Sequence, residues 1–212
     1  SSATHLALDV SYTIHFENEG RLAFGMKLGG HLLNIDYTKL NHYNPSDVSF
    51  KNNITNQFSP NIGAGLFYYN ENSYLGLSVP MLLQTKTYDE FSYSDANRRQ
   101  HFYLMGGKVF DLAYNLKFKP AFVAKMVTGS PLQVDLTANF LISDKFMAGL
   151  AYRWSAAVSA LVGFKVNDRL SIGYGYDRET TRLANFNSGS HELFLQFDLF
   201  KINQQIETPR FF

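Results

Sequence analysis

Histidine has the widest catalytic and metal-binding use of any residue type in this chain, and it occurs six times. A metal site needs several such ligands at a regular spacing, so that they converge on one point. No ligand spacing links the six positions, which are His5, His15, His31, His42, His101 and His191. We therefore predict no metal site and no other cofactor.

The dipeptide Ser190-His191 puts a nucleophile next to a base, the pair of groups on which many hydrolases depend. Catalysis also needs an acid that orients the base, on the same face of neighbouring elements. No such set of three can be assembled here, so we predict that the protein is not an enzyme.

Pairs of glycines could be mistaken for loops that bind phosphate. Such loops lie between a strand and the first turn of a helix. None of the pairs precedes a helical pattern; they are Gly29/Gly30, Gly63/Gly65, Gly106/Gly107 and Gly173/Gly175. Glycine inside strands instead indicates a close approach of the backbone or room in an interior.

The composition excludes several classes of protein. The chain has 212 residues and a formal charge of +1, and without a basic run it is not expected to bind nucleic acid. It has no cysteine, and no apolar run reaches the roughly 18 residues of a transmembrane helix. Aromatic residues make up 16%, with 13 Tyr and 19 Phe, which is an excess that needs an explanation.

Apolar and polar residues alternate along almost the whole chain. Between residues 158 and 177 one parity is apolar and aromatic, the other is small or charged, and Asn167–Arg169 interrupts the run. This period of two predicts β-strands, and we count about eleven of them and no helix. The fold is predicted to be all-β.

The connections between these strands alternate in length, and this favours an antiparallel β-barrel of the outer membrane, which has short turns at one end and long loops at the other. The short connections are Glu17–Gly20, Asn70–Ser73, Leu112–Asn115, Ser143–Lys145 and Asn167–Arg169. The others, several of them long, are Thr38–Gln57, Thr85–Arg99, Thr128–Pro131, Ser155–Ala157 and Arg178–Ser188.

In a barrel of this kind the apolar parity contacts lipid and the polar parity lines the interior. Aromatic side chains near strand ends fit the interfacial girdles: Phe140, Phe146, Tyr152, Trp154, Tyr174 and Tyr176. The alternative is a soluble sandwich or barrel with its apolar face inward. Bacterial barrels of a single chain usually have an even number of strands. The odd count of about eleven therefore predicts that a further odd number of strands precedes Ser1, so that the chain is the C-terminal part of a longer barrel.

Short turns also predict cross-strand pairs. If Ser143–Lys145 is a three-residue turn, Asp135 lies opposite Arg153 on the interior face. The preceding connection, Thr128–Pro131, brings Lys125 beside Asp135 if its register keeps interior residues paired, which gives a row of charges in the lumen, Lys125–Asp135–Arg153. The row either stabilises the wall or contacts a substrate. If Ser155–Ala157 is also a three-residue turn, Trp154 faces Val158.

The chain resembles the PorP/SprF membrane proteins of the type IX secretion system in gliding and related bacteria. The segments that carry the likeness include FGMKLGGHLLNIDYTKLN, PNIGAGLFYYNENSYLGLSVPMLL, FYLMGGKVFDLAYNLKFKPAFVAK, GSPLQVDLTANFLISDKFMAGLAYRW, SALVGFKVNDRLSIGYGYD and NSGSHELFLQFDLF, with the tail TPRFF. Family members have about three further strands at the front, which with eleven gives a barrel of about fourteen strands.

The resemblance implies an integral component of the outer membrane in a Gram-negative, Bacteroidota-like bacterium. It implies a protein that supports the export and surface anchoring of a cognate adhesin or other type IX substrate, as in gliding motility. Membrane lipid, that substrate and periplasmic ring components of the secretion motor are the expected partners. A passive, porin-like pore remains the alternative, because a polar interior is all that a pore requires.

We expect residues 1–200 to form the barrel, with extracellular loops at 38–57, 85–99 and 178–188, and residues 201–212 to form a periplasmic tail. The first two loops carry aromatic side chains suited to a protein partner, or to packing over the barrel's own mouth. They are Tyr43, Phe50, Tyr88, Phe91 and Tyr93. In the tail, Arg210, Phe211 and Phe212 are candidates for docking to a periplasmic partner.

Overall fold

A computed structural model describes residues 2–17, 19–36, 53–83 and 99–199. Twelve strands form one antiparallel sheet: β1 (Ser2–His15), β2 (Arg21–Ile35), β3 (Ile54–Tyr69), β4 (Ser73–Val79), β5 (His101–Lys108), β6 (Phe110–Ala113), β7 (Leu116–Val127), β8 (Gln133–Ile142), β9 (Phe146–Arg153), β10 (Ala157–Lys165), β11 (Leu170–Glu179) and β12 (Ser190–Phe197). The described part contains no α-helix, only a 3-10 turn at Arg182–Asn185. The all-β prediction is confirmed.

The strands follow one another across the sheet in chain order, because each pairs with its neighbour in sequence. β6 continues β5: both pair with β7 in the same register, His101 opposite Val127 and Phe110 opposite Phe118, with Val109 between them. The sheet therefore has eleven positions, the number predicted. Within the described residues β1 does not pair with β12, so the sheet is open, which is consistent with the wall of a β-barrel.

The long connections all lie at one end of the sheet, as predicted, and the connections at the other end have two to five residues. The short-turn end carries the connections 16–20, 70–72, 114–115, 143–145 and 166–169. The long-loop end carries the connections 36–53, 80–100, 128–132, 154–156 and 180–189. Asparagine side chains close two of the short turns: Asn70 Oδ1 accepts hydrogen bonds from the backbone amides of Asn72 and Ser73, and Asn167 Oδ1 accepts from those of Arg169 and Leu170.

Several predicted boundaries differ from the observed ones, and two of these differences shorten predicted loops at the long-loop end. β3 begins at Ile54, so residues 54–57 of the predicted loop Thr38–Gln57 belong to that strand. β11 ends at Glu179, so Arg178 also belongs to a strand rather than to the loop Arg178–Ser188. In both places polar residues extend a ladder of backbone hydrogen bonds, which hydrophobic alternation does not reveal.

The sheet has one apolar face and one polar face, and the apolar face is exposed. Leu150 on β9 is 62% exposed and Leu8 on β1 is 64% exposed, and most other large apolar side chains of that parity are more than one third exposed. Among the described residues, Met147 and Ala157 are the buried apolar side chains, and both lie on the polar face. Burial of one large apolar side chain is worth about 1.5–3 kcal/mol, so the exposed apolar face requires an apolar environment.

A soluble sandwich would need a second layer against this apolar face. In the described part of the chain, strands contact the strands beside them in the same sheet, and no second layer is present. The sandwich alternative is therefore not supported. No helix among these residues is long and apolar enough to cross a membrane.

The strands are staggered in one direction across the sheet. A row of directly paired residues begins at Ile14, one residue from the short-turn end of β1, and ends at Arg178, one residue from the long-loop end of β11. The row passes through Leu22, Tyr68, Leu75, Gly106, Phe122, Leu136, Tyr152 and Val158. A continuous stagger of this kind is what tilted strands in a barrel wall require.

Candidate functional site: the charge row on the polar face

Three charged side chains meet on the polar face where β7, β8 and β9 run side by side. Lys125 Nζ lies 2.7 Å from Asp135 Oδ2, and Arg153 Nε lies 3.1 Å from Asp135 Oδ1. Each carboxylate oxygen thus accepts one charge-assisted hydrogen bond. The side chain of Asp135 is 18% exposed, less than either cation, so the acid lies under its two partners.

The register explains how the three residues come together. The turn after β8 sets Ile142 opposite Phe146, and counting back puts Asp135 directly opposite Arg153. Lys125 is directly opposite Gln133, not Asp135, and reaches the carboxylate diagonally. Diagonal neighbours on one face are about 7–8 Å apart at Cβ, a gap that a lysine side chain spans.

One predicted register was wrong. Ala157 lies opposite Arg153 and Val158 opposite Tyr152, so Trp154 does not face Val158. The turn consists of residues 154–156, one position earlier than predicted, with Ser155 at a positive φ of 54°. A serine in this left-handed conformation is uncommon, and no pattern in the sequence indicates one at this position.

Sequence reasoning missed two further polar pairs on the same face. Ser159 donates a short hydrogen bond to Asp177, which lies directly opposite it. Lys27 faces Asp9, with 3.6 Å between the ammonium and the carboxylate. The predicted turn Asn167–Arg169, counted back along β10 and β11, would have revealed the first pair. Together with the row, these pairs place opposite charges or donors and acceptors at facing positions.

The remaining candidate residues fall into two groups. Tyr43, Phe50, Tyr88, Phe91 and Tyr93 of the loops, and Arg210, Phe211 and Phe212 of the tail, lie outside the described residues. Ser190 and His191 are described, and they lie on opposite faces of β12, opposite Asp177 and Tyr176 respectively. A nucleophile and a base on opposite faces of a strand cannot act on one substrate.

The histidines do not converge either. His5 and His31 stack with 5.3 Å between ring centroids across β1 and β2, and His101 stacks on Tyr103 at 6.4 Å. Within the part of the chain that the structure describes, no three His, Cys, Asp or Glu side chains are grouped so that they could hold a metal ion.

The chain matches the family model described as type IX secretion system membrane protein PorP/SprF over residues 1–197. No curated protein and no solved structure matches it at a significant level. The family match covers every strand of the sheet, including the charge row and the exposed apolar face. The chain belongs to the PorP/SprF family of type IX secretion system membrane proteins.

Proposed function

We propose that this protein supports the export and surface anchoring of a cognate adhesin or other type IX substrate, as an integral part of the outer membrane. The observation that carries the proposal is the family match over residues 1–197. The sheet is consistent with it, since an exposed apolar face on a staggered, antiparallel meander suits the lipid-facing wall of a barrel.

In this arrangement the polar face lines the interior. An arginine or lysine on the lipid-facing side costs about 2–4 kcal/mol of folding free energy at the middle of the bilayer. A charged side chain in the interior can instead be solvated by water or paired with an opposite charge. Lys125, Asp135 and Arg153 then form a row in the lumen. We assign the row a role in holding β7, β8 and β9 together, because both cations already have their carboxylate partner.

The long-loop end is proposed to face the outside of the cell. Loops 38–57 and 85–99 belong to that end, and their aromatic residues Tyr43, Phe50, Tyr88, Phe91 and Tyr93 are proposed to contact the exported partner. Residues 201–212 are proposed to reach the periplasm, with Arg210, Phe211 and Phe212 docking on ring components of the secretion motor.

Cross-linking in the native membrane tests the proposal. A tagged protein, cross-linked in whole cells and purified, is expected to carry a secreted surface protein, and deletion of the gene is expected to leave that protein unexported or released into the medium. Normal export and anchoring in the deletion strain would contradict the proposal. Removal of residues 201–212 tests the tail alone, since it should reduce export while the barrel still assembles.

A passive pore is the second candidate, because the polar face could equally line a water-filled channel. The purified protein in a planar bilayer distinguishes the two. A pore conducts ions steadily without a partner, whereas an export component whose lumen is filled is expected to conduct little until its partner is removed. Steady conductance together with normal export in the deletion strain would favour the pore.

A further inference from the structure

Charged side chains are almost absent from the apolar face. Of the charged residues in the twelve strands, just Lys108 and Arg178 lie on it. The acids of the strands are all on the polar face: Asp9, Asp111, Asp135, Asp177, Glu179 and Glu192. The apolar face of the strands therefore carries positive charge without negative charge. An anion that pairs with Lys108 or Arg178 on this face must come from outside the sheet.

Arg178 lies at the border of this face. It is the last but one residue of β11, at the long-loop end. It is paired with Val158 on β10, which is paired in turn with Tyr152 on β9. Its side chain is exposed, and among the described residues it makes no ion pair. A cation on a lipid-facing strand is tolerated best at this depth, where the headgroups of the bilayer begin.

A second donor lies beside Arg178. His191 is directly opposite Tyr176, so it is the diagonal neighbour of Arg178 on the same face. Its Nδ1 shares a 2.6 Å hydrogen bond with the Tyr174 hydroxyl, and its ring centroid is 4.9 Å from that of Tyr176. A hydroxyl that donates to Nδ1 leaves the proton of the neutral ring on Nε2, where it can be donated to an anion.

We propose that Arg178 and His191 bind the phosphate of an anionic membrane lipid at this border. The guanidinium supplies a planar pair of donors suited to phosphate oxygens, and the imidazole supplies a third. The acyl chains of the lipid lie along the apolar face between β9 and β12. The inference rests on the apolar face lying in the bilayer, as proposed above, and is independent of the role in export.

The chain contains its own reporter for this site. Its one tryptophan, Trp154, directly follows β9 at the same end of the sheet and is 63% exposed. Lipids brominated on their acyl chains quench tryptophan fluorescence at short range. The full chain is reconstituted in phosphatidylcholine that contains either brominated phosphatidylglycerol or brominated phosphatidylcholine. We expect about fivefold stronger relative binding of the anionic lipid at Trp154, the preference that one cation at a membrane surface provides.

Matched variants separate a site from general attraction. Arg178→Gln is expected to abolish the preference, and His191→Gln to reduce it. Arg182→Gln removes a neighbouring exposed cation in the 3-10 turn at Arg182–Asn185 and should leave the preference intact. The β-sheet circular dichroism of each variant verifies folding. An equal loss in Arg178→Gln and Arg182→Gln would overturn the site in favour of diffuse attraction.

Three further outcomes are decisive. Equal quenching of Trp154 by both lipids would overturn the lipid site but leave the membrane placement intact. Quenching by neither lipid would contradict the membrane placement of the apolar face itself, and with it both the lipid site and the proposed integral position in the outer membrane. Millimolar inorganic phosphate should not remove the preference, because the acyl chains hold a lipid in place; if it does, the site binds free anions instead.

Discussion

Asp135 balances two cations from neighbouring strands on the polar face. It accepts from Lys125 and from Arg153 through different oxygens, and its side chain is the least exposed of the three. A half-buried carboxylate with both oxygens paired costs little, whereas a half-buried cation without its anion costs more. The stability of the row therefore depends on the acid more than on either base.

The variant Asp135→Asn is expected to lower the free energy of unfolding by about 1–2 kcal/mol. It removes both charge-assisted hydrogen bonds and leaves Lys125 and Arg153 as like charges on one face. Urea unfolding of the detergent-folded protein measures the change. Asp144→Asn is the matched control: its carboxylate lies 3.5 Å from Lys117 Nζ and is 76% exposed, so the loss should stay below about 0.5 kcal/mol. Equal losses would show that the row adds nothing.

Among the strands and turns, the sequence predicts the features that depend on alternation and on tight turns. It predicts the two faces of most strands and the Asp135–Arg153 pair, since Ile142 and Phe146 flank a short turn. In β5 the alternation is weak and favours Tyr103 and Met105 as the apolar side, whereas the register places Leu104 on the apolar face. The sequence does not predict the turn 154–156, where Ser155 adopts a positive φ, or the start of β3 at Ile54. Both depend on backbone pairing with the neighbouring strand, which side-chain patterns do not encode.

The same substitution, leucine to arginine, is expected to have different effects on stability on the two faces of β9 and β10. Leu150 on β9 belongs to the apolar face, and Leu161 on β10 belongs to the polar face, between Gly149 and Gly175. Leu150→Arg is expected to cost about 2–4 kcal/mol of folding free energy in a bilayer. Leu161→Arg should be tolerated, because its glycine neighbours leave room and the face is polar.

Folding of both variants into lipid vesicles, followed by urea unfolding, makes the comparison. The two leucines differ in the face they occupy and not in residue type, so their difference isolates the environment of each face. If Leu150→Arg were as stable as Leu161→Arg, the apolar face would be in contact with water or protein, and the membrane-facing assignment would be wrong.

The complete sheet is stabilised by contacts between neighbouring strands and by its surroundings. It has almost no interior of its own among the described residues, since Met147 and Ala157 are the apolar side chains that are buried. The stagger from Ile14 to Arg178 runs in one direction across the sheet, and the strand ends joined by short turns lie along one edge while those joined by the long connections lie along the other. The molecule therefore has two distinct ends, and its orientation in the membrane decides which partners it can meet.

The orientation of the protein in the membrane can be determined with single cysteine substitutions, because the chain contains no cysteine of its own. Ser46→Cys and Ser94→Cys lie in the long loops, Ser130→Cys lies in the connection 128–132 at the same end, and Ser143→Cys lies at the short-turn end. An impermeant thiol reagent on whole cells is expected to label the first two strongly and Ser143→Cys not at all. Ser130→Cys, in a connection of five residues, should also react, since it shares the outer rim. Lysed cells, in which every thiol is accessible, provide the control for reactivity. Labelling of Ser143→Cys alone on whole cells would invert the orientation, and the loops could then meet only periplasmic partners.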